Sequence, residues 1–309
     1  MKGLIREEKG RMALVDNLES PEPGEGDVLV RVHTASVNPY DRESADGVYD
    51  GYYDEFGVQE PVRTGLEFSG EVVSQGAVFG AGDRVYGYVH LITGWKTHAE
   101  FITVPESYLA PIPEGLKETE AAALPLGILT SLNVFEDMRP VTGAGRVLII
   151  GAAGGIGVYA VQVAKALGYE ITALCSPVQR DFVAELGADH LPDFDPETLD
   201  GLPGNYDIIL DLSTRFRLDQ CESLLSNVGK FVPALPDDAN GGNSESVKVG
   251  YLMVMEGDGK RLEKAADWIA SGDIKPVIDQ VYSFSDHLSA FDRLNVRGKK
   301  GRIIMTWAK

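Results

Sequence analysis

The stretch that decides the fold is Val147-Leu-Ile-Ile150, then Gly151-Ala-Ala-Gly-Gly-Ile-Gly157, then an alanine- and valine-rich run ending at Leu167-Gly168. Four consecutive aliphatic residues predict a strand buried on both faces. The run from Ile156 to Leu167 has helical apolar spacing. Gly168 closes it, glycine being the residue that most readily ends a helix in a left-handed conformation. Strand, glycine turn and helix in this order make an anion site. Glycines let the backbone approach a pyrophosphate, and the helix N-terminus offers unpaired N–H groups with a partial positive charge. The spacing departs from strict G-x-G-x-x-G because Ala152 holds the first glycine position. In this context Gly151, Ala153, Gly154, Gly155 and Ile156 are the expected contacts of a dinucleotide.

The alternation continues downstream. Ile171-Thr-Ala-Leu174 predicts a second strand, Gln179 to Leu186 a helix closed by Gly187, and Asp207-Ile-Ile-Leu210 and Lys230-Phe-Val-Pro233 two more strands. Strands alternating with helices imply an α/β unit with a doubly wound parallel sheet. The first hundred residues differ. Asp27-Val-Leu-Val-Arg-Val32 alternates, and Gly70-Glu-Val-Val73 and Arg84 to Val89 are short strands separated by the turn signal Gly82-Asp83, so a compact β domain is expected. Glu118 to Phe135 reads as one helix. A further helix over Arg261 to Ala270 precedes strand-like segments near Val281 and Ile303.

The bulk numbers narrow the function. A length of 309 residues suggests two domains. With 28 Lys and Arg against 47 Asp and Glu, the net charge of −19 repels nucleic acid and anionic lipid, so neither is an expected partner. No apolar run is long enough to span a bilayer, and Met1-Lys-Gly-Leu-Ile-Arg6 lacks the apolar core of a signal peptide. Cys175 and Cys221 alone cannot build a disulfide framework or a four-cysteine zinc site. A cytoplasmic protein acting on a small molecule is the expectation.

The second strand ends at Leu174-Cys175-Ser176. An NAD site usually has Asp or Glu there to hold the ribose hydroxyls. Ser176 can instead donate to a 2′-phosphate that a carboxylate would repel, and Arg180 follows one helical turn later. NADPH is therefore the expected cofactor.

Short motifs along the chain resemble the medium-chain dehydrogenase/reductase superfamily, in its quinone oxidoreductase and enoyl reductase branch. They are Val37-Asn-Pro-Tyr-Asp41, Gly65-Leu-Glu-Phe-Ser-Gly70, Gly82-Asp-Arg-Val85, Glu120-Ala-Ala-Ala-Leu-Pro125 with Leu129-Thr130, the glycine loop, Leu186-Gly-Ala-Asp189 and Gly298-Lys-Lys-Gly-Arg-Ile303. The resemblance implies a GroES-like β domain (1–112 and 251–309), a Rossmann domain (113–250), an active-site cleft between them and a homodimer. Zinc enzymes of that superfamily ligate their catalytic metal through Cys, His and Cys or Asp. The matching positions here are Asn38, Leu66 and Leu126, and amide and alkyl groups cannot replace thiolate and imidazole. No metal is expected. Without a Lewis acid the chemistry suits an acceptor that is already activated.

The resemblance also supplies candidates for the reaction. Tyr49, closing Gly47-Val48-Tyr49, matches a tyrosine of related enoyl reductases, and a phenol there can stabilise an enolate oxygen. Tyr40 stands where zinc enzymes carry a relay hydroxyl. Asn38 and Thr130 are expected near the nicotinamide or substrate. Arg297 resembles an arginine that reaches the 2′-phosphate. The leading expectation is an NADPH-dependent reductase of quinones or α,β-unsaturated carbonyls. The alternatives are an enoyl-thioester reductase and a non-catalytic NADPH-binding sensor or crystallin-like protein.

Overall fold

The computed structural model describes residues 1–138, 145–193, 199–235 and 248–307. An N-terminal hairpin pairs β1 (Gly3–Glu8) with β2 (Arg11–Val15). The largest sheet is built on β3 (Asp27–Val37), in which Val28, Val30 and Val32 are buried while Arg31 between them is exposed, the period of a strand with one face on a core. Two short helices follow, α1 (Pro39–Asp46) and α2 (Asp50–Glu55). Then come β4 (Glu67–Val72), β5 (Arg84–Tyr88), β6 (Phe101–Pro105) and β7 (Leu109–Pro111). Their pairing is antiparallel throughout, β3 to β4 to β5 to β7, with β6 also on β3.

Two helices stand where the sequence predicts one from Glu118 to Phe135: α3 (Glu118–Ala121) and α4 (Pro125–Leu132). Pro125 is the reason. It has no N–H to donate, and its ring collides with the carbonyl of a preceding turn, so it begins a helix rather than continuing one. After Leu132 the backbone widens into a π-helical turn over Asn133–Asp137.

The α/β unit follows: β8 (Arg146–Ile150), α5 (Gly157–Ala166), β9 (Glu170–Leu174), α6 (Arg180–Glu185), β10 (Tyr206–Asp211), α7 (Leu218–Cys221) and β11 (Leu225–Pro233). Four parallel strands lie in the order β11-β10-β8-β9. The chain leaves β8 for β9 on one side and reaches β10 on the other. The crevice beyond the carboxyl ends of β8 and β10 is therefore the topological switch point, where ligands of such sheets bind. Val147, Leu148 and Ile149 have no exposed surface, as a doubly covered strand requires.

The last segment contributes α8 (Gly259–Ser271), β12 (Ile278–Ser283), α9 (His287–Arg293) and β13 (Arg302–Thr306). The Asp258 side chain caps α8 by accepting from the Arg261 N–H, and Gly272 ends the helix at φ 82°. β13 pairs antiparallel with β3, and β12 pairs parallel with β13, so the end of the chain completes the sheet begun near its start. The hydroxyl of Tyr86 donates to the Leu262 carbonyl and that of Tyr88 to the Val254 carbonyl, fastening β5 to the same returning segment. No helix among the described residues is long and apolar enough to cross a membrane.

Asp41 ties the start of α1 to the segment that leads into β4. Its carboxylate, fully buried, accepts from the Asn38 N–H at 2.7 Å and from the Gly65 N–H at 2.6 Å. Asp41→Ala leaves both donors buried without an acceptor, at about 1–3 kcal/mol each. Urea unfolding of that variant is expected to show a stability loss on the order of 2–6 kcal/mol; a loss under about 1 kcal/mol would contradict the role given to this carboxylate.

Candidate functional site

The glycine loop takes its shape from close approaches. Gly151 leaves β8 at φ 84°, and the N–H groups of Gly151 and Ala152 both donate to the Leu174 carbonyl. A Cβ on Gly157 would lie 2.3 Å from the Gly151 carbonyl oxygen, so only glycine lets α5 start this close to the strand. A Cβ on Gly155 would stand 3.0 Å from an Nη atom of Arg302. Among the described residues the N–H groups of Gly155 and Ile156 have no backbone acceptor. The cradle is half-exposed, ends at a helix N-terminus and has a guanidinium beside it, which fits the pyrophosphate of a nicotinamide dinucleotide.

Arg302 opens β13 and is buried. It forms an ion pair with Glu67, and its Nη2 donates to Asn38 Oδ1 at 2.6 Å and Ser36 Oγ at 3.1 Å. Glu67 has no exposed surface. One of its oxygens accepts from Ser36 Oγ, and the other from the Leu126 N–H at 2.7 Å in the first turn of α4. Burial draws the Arg302 pKa down to about 10, with the Asp41 charge opposing, which still leaves it charged at neutral pH.

Glu67 draws together the three positions where zinc enzymes carry ligands. Asn38 and Leu126 lie on either side of it, and Leu66 is its neighbour. None can serve a metal: Asn38 has its amide engaged by Arg302 and Ser36, and the leucines are alkyl. Among the described residues no group of three or more His, Cys, Asp or Glu could hold an ion.

The other candidates fall into two groups. In the first, Tyr40 stacks on Tyr49 with ring centroids 4.7 Å apart. Tyr40 Oη donates to the Leu91 carbonyl at 2.7 Å and lies 3.2 Å from Tyr53 Oη. Tyr49 Oη donates to Glu43. Burial, reinforced by neighbouring phenols and carboxylates, pushes both phenols well above 10. Both tyrosines pack against the cluster that contains Leu66, Leu129 and Ala153, so the structure brings tyrosines and glycine loop onto one core. Thr130 is buried on α4. Asn38, 2% exposed, faces Arg302 and not the cleft.

At the far end of the cradle, Ser176 is exposed beyond β9 and donates to Gln179 Oε1 at 2.5 Å. Gln179 Nε2 donates to the Lys299 carbonyl at 2.7 Å, holding the segment with Arg297, Lys299 and Lys300 beside that strand end. Arg297 is exposed. Arg180 is turned aside, with Nη2 on the Pro192 carbonyl at 2.7 Å and Asp193 at 2.6 Å. Arg180 follows Ser176 in sequence, but its acceptors lie at 192–193.

Residues 24–114 match the family described as "Alcohol dehydrogenase GroES-like domain", and residues 186–305 match "Zinc-binding dehydrogenase". The human mitochondrial NAD(P)H oxidoreductase RTN4IP1 is 30% identical over 329 residues, covering 88% of this chain and 80% of that protein. The chain belongs to the medium-chain dehydrogenase/reductase superfamily. Another member, a 2-methylene-furan-3-one reductase of Solanum lycopersicum, is 29% identical, with 95% of this chain and 75% of that protein covered. The quinone oxidoreductase structure from Coxiella burnetii shares the superfamily fold at a TM-score of 0.87 and 23% identity, over 100% of this chain and 99% of that one. The donor set at Asn38, Leu66 and Leu126 places the chain among the superfamily's zinc-free members, although one of the matching descriptions carries the metal in its name.

Glu67, Arg302 and Glu43 were not among the candidates read from the sequence. The signal for the first two was a single charge inside an apolar strand, Leu66-Glu67-Phe68 and Arg302-Ile-Ile-Met305, where burial demands a partner. Arg302→Met strands Glu67 as an uncompensated buried charge, and a loss of about 3–5 kcal/mol is expected in denaturant unfolding. Adding Glu67→Gln to that variant should recover part of the loss; a double variant less stable than the single one would show that the ion pair is not what Arg302 contributes.

Proposed function

We propose that the protein is a zinc-independent, NADPH-preferring reductase of α,β-unsaturated carbonyls or quinones. The observation that carries this reading is one core. It joins a pyrophosphate cradle, backed by Arg302, to the Tyr40–Tyr49 pair, around positions with no metal donors. The enone reductase and NAD(P)H oxidoreductase relatives support it. Here residues 113–250 hold the dinucleotide, 1–112 with 251–309 supply the acceptor side, and the acidic, cysteine-poor chain works in the cytoplasm. A homodimer through the edge of the parallel sheet is part of this reading, since Val228, Met253 and Met255 are exposed on β11 and the segment beyond it.

When bound, NAD(P)H would supply the hydride that reduces the β-carbon of a conjugated carbonyl. The Gly151, Ala153, Gly154, Gly155 and Ile156 backbone binds the pyrophosphate with Arg302 behind it. Asn38 acts here as the residue that orients Arg302, and Thr130 borders the nicotinamide end. As hydride arrives, negative charge gathers on the carbonyl oxygen. Tyr49 donates its O–H to that oxygen in exchange for Glu43. Its raised pKa means it remains a phenol and stabilises the oxyanion as a hydrogen-bond donor, while solvent supplies the proton consumed. Tyr40 holds the Tyr49 ring in place by stacking. Tyr49→Phe is expected to lower kcat on an enone about 10²–10³-fold, the cost of losing one oxyanion donor. Tyr40→Phe should cost far less in kcat and show as lower thermal stability, because its hydroxyl serves Leu91. Full enone turnover by the Tyr49 variant would remove that residue from the mechanism.

The cofactor preference rests on Ser176 and the basic segment that Gln179 holds beside it, with Arg297 the exposed arginine there. Arg180 contributes only if it leaves Asp193. Hydrogen bonds to a charged group are worth roughly 1.5–3 kcal/mol each, so NADPH should bind at least about tenfold more tightly than NADH. Ser176→Asp should reverse that order when both cofactors are titrated by fluorescence; equal affinities in the unmodified protein would refute the preference.

A further inference from the structure

A cavity of about 210 Å³ is walled by Tyr53, Val58, Pro61 and Ile92, with Arg63 and Lys96 as its charged residues and no acidic side chain in its lining. Arg63 is half-buried. Its Nε is fully desolvated and, among the described residues, bonded to nothing, and no carboxylate lies within ion-pair distance of its guanidinium. Its neighbour Glu60 is committed elsewhere, to Arg6 and to the Val62 N–H. Among the described residues, a half-buried cation in an acid-rich chain thus stands without a carboxylate partner. That is costly unless a ligand completes it.

The guanidinium is held ready. It lies over the Trp95 ring, 4.2 Å from the centroid, which fixes its plane and leaves its edge free. Lys96 is different. Its Nζ donates to the carbonyls of His90, Leu91 and Thr93, and burial draws its pKa to about 7. Its N–H groups are engaged by these carbonyls, which makes Arg63 the anchor. The cavity is coupled to the tyrosines through shared atoms. The Leu91 carbonyl accepts from both Lys96 Nζ and Tyr40 Oη, and Tyr53, which lines the wall, contacts Tyr40 through its hydroxyl.

We propose that this cavity is the acceptor's anchoring subsite and that Arg63 selects conjugated carbonyl substrates bearing a carboxylate. The inference rests on the reductase reading. An acceptor seated this way puts its anionic end on Arg63 and its conjugated carbonyl toward Tyr49.

The test has two arms. In kinetics, 4-oxopent-2-enoate is compared with its methyl ester. In wild-type protein the carboxylate should have the lower KM. Arg63→Met, which keeps the packing on Trp95, should raise the carboxylate's KM tenfold or more and leave its kcat and both constants for the ester unchanged; Arg63→Lys should restore part of the loss. In calorimetry, the saturated 4-oxopentanoate should bind the wild-type protein and bind Arg63→Met at least tenfold more weakly, with thermal unfolding of the variant confirming that it is folded. Equal KM changes for acid and ester, or unchanged 4-oxopentanoate binding in Arg63→Met, would overturn the subsite. Binding that depends on Arg63 without turnover of either acceptor would instead refute the reductase reading while leaving an Arg63 carboxylate site.

Discussion

Glu67 and Arg302 meet where neither side chain is more than 3% exposed. Taking two such groups out of water costs several kcal/mol per ion, and a well-packed apolar pair of similar volume is often as stable. What an apolar pair could not do is connect. Arg302 comes from the last strand, Glu67 from β4, and their partners Ser36, Asn38 and Leu126 from β3, the start of α1 and the first turn of α4. A planar guanidinium and a two-oxygen carboxylate fix the angles among these elements as well as their contacts. Separating the strand of Arg302 from that of Glu67 would strand a buried charge, and displacing the other elements would cost the pair a hydrogen bond.

The same pair resolves an electrostatic difficulty. A chain with net charge −19 must still attract a dinucleotide with a charged pyrophosphate. Fields from exposed carboxylates fade over about 8–10 Å at physiological salt, so the surface does not govern what happens in the cradle. There the local groups decide. The start of α5 presents N–H groups, and Arg302, with Glu67 behind it, turns a guanidinium edge toward Gly155. The Gly301 N–H donates to the Ala153 carbonyl, so the strand that carries Arg302 is joined directly to the loop it serves.

The fold was legible where one local rule decided it. Val147 to Gly157 could form little other than a strand, turn and helix, because the glycines are needed at single, crowded positions. The break at Pro125 was legible too, in a residue that cannot sit inside a helix, but the alanine-rich flanks masked it. The site was less readable because its geometry is made by partners far apart in the chain. Nothing near Asn38 announces that Arg302 will occupy its amide, and nothing near Arg180 shows that Asp193 will hold it. The basic segment beside Ser176 comes from far along the chain, through the bond of Gln179 to the Lys299 carbonyl, 120 residues on.

In the proposed mechanism a tyrosine does what a metal does in zinc enzymes, by different physics. An ion stabilises an oxyanion by charge, wherever its lone pairs point, whereas a phenol must be aimed. In the proposed mechanism the aiming is done by stacking. Tyr49 is held by the face of Tyr40, Tyr40 by the Leu91 carbonyl, and Tyr53 by Ser44. Each of these three phenols has a partner, and the acceptor of Tyr49 is a single side chain, Glu43, rather than the backbone. Exchanging a side-chain acceptor requires one rotation, while exchanging a carbonyl would require moving the chain. That difference is why the proposed mechanism gives the response to an acceptor to Tyr49 and not to its better buried neighbour.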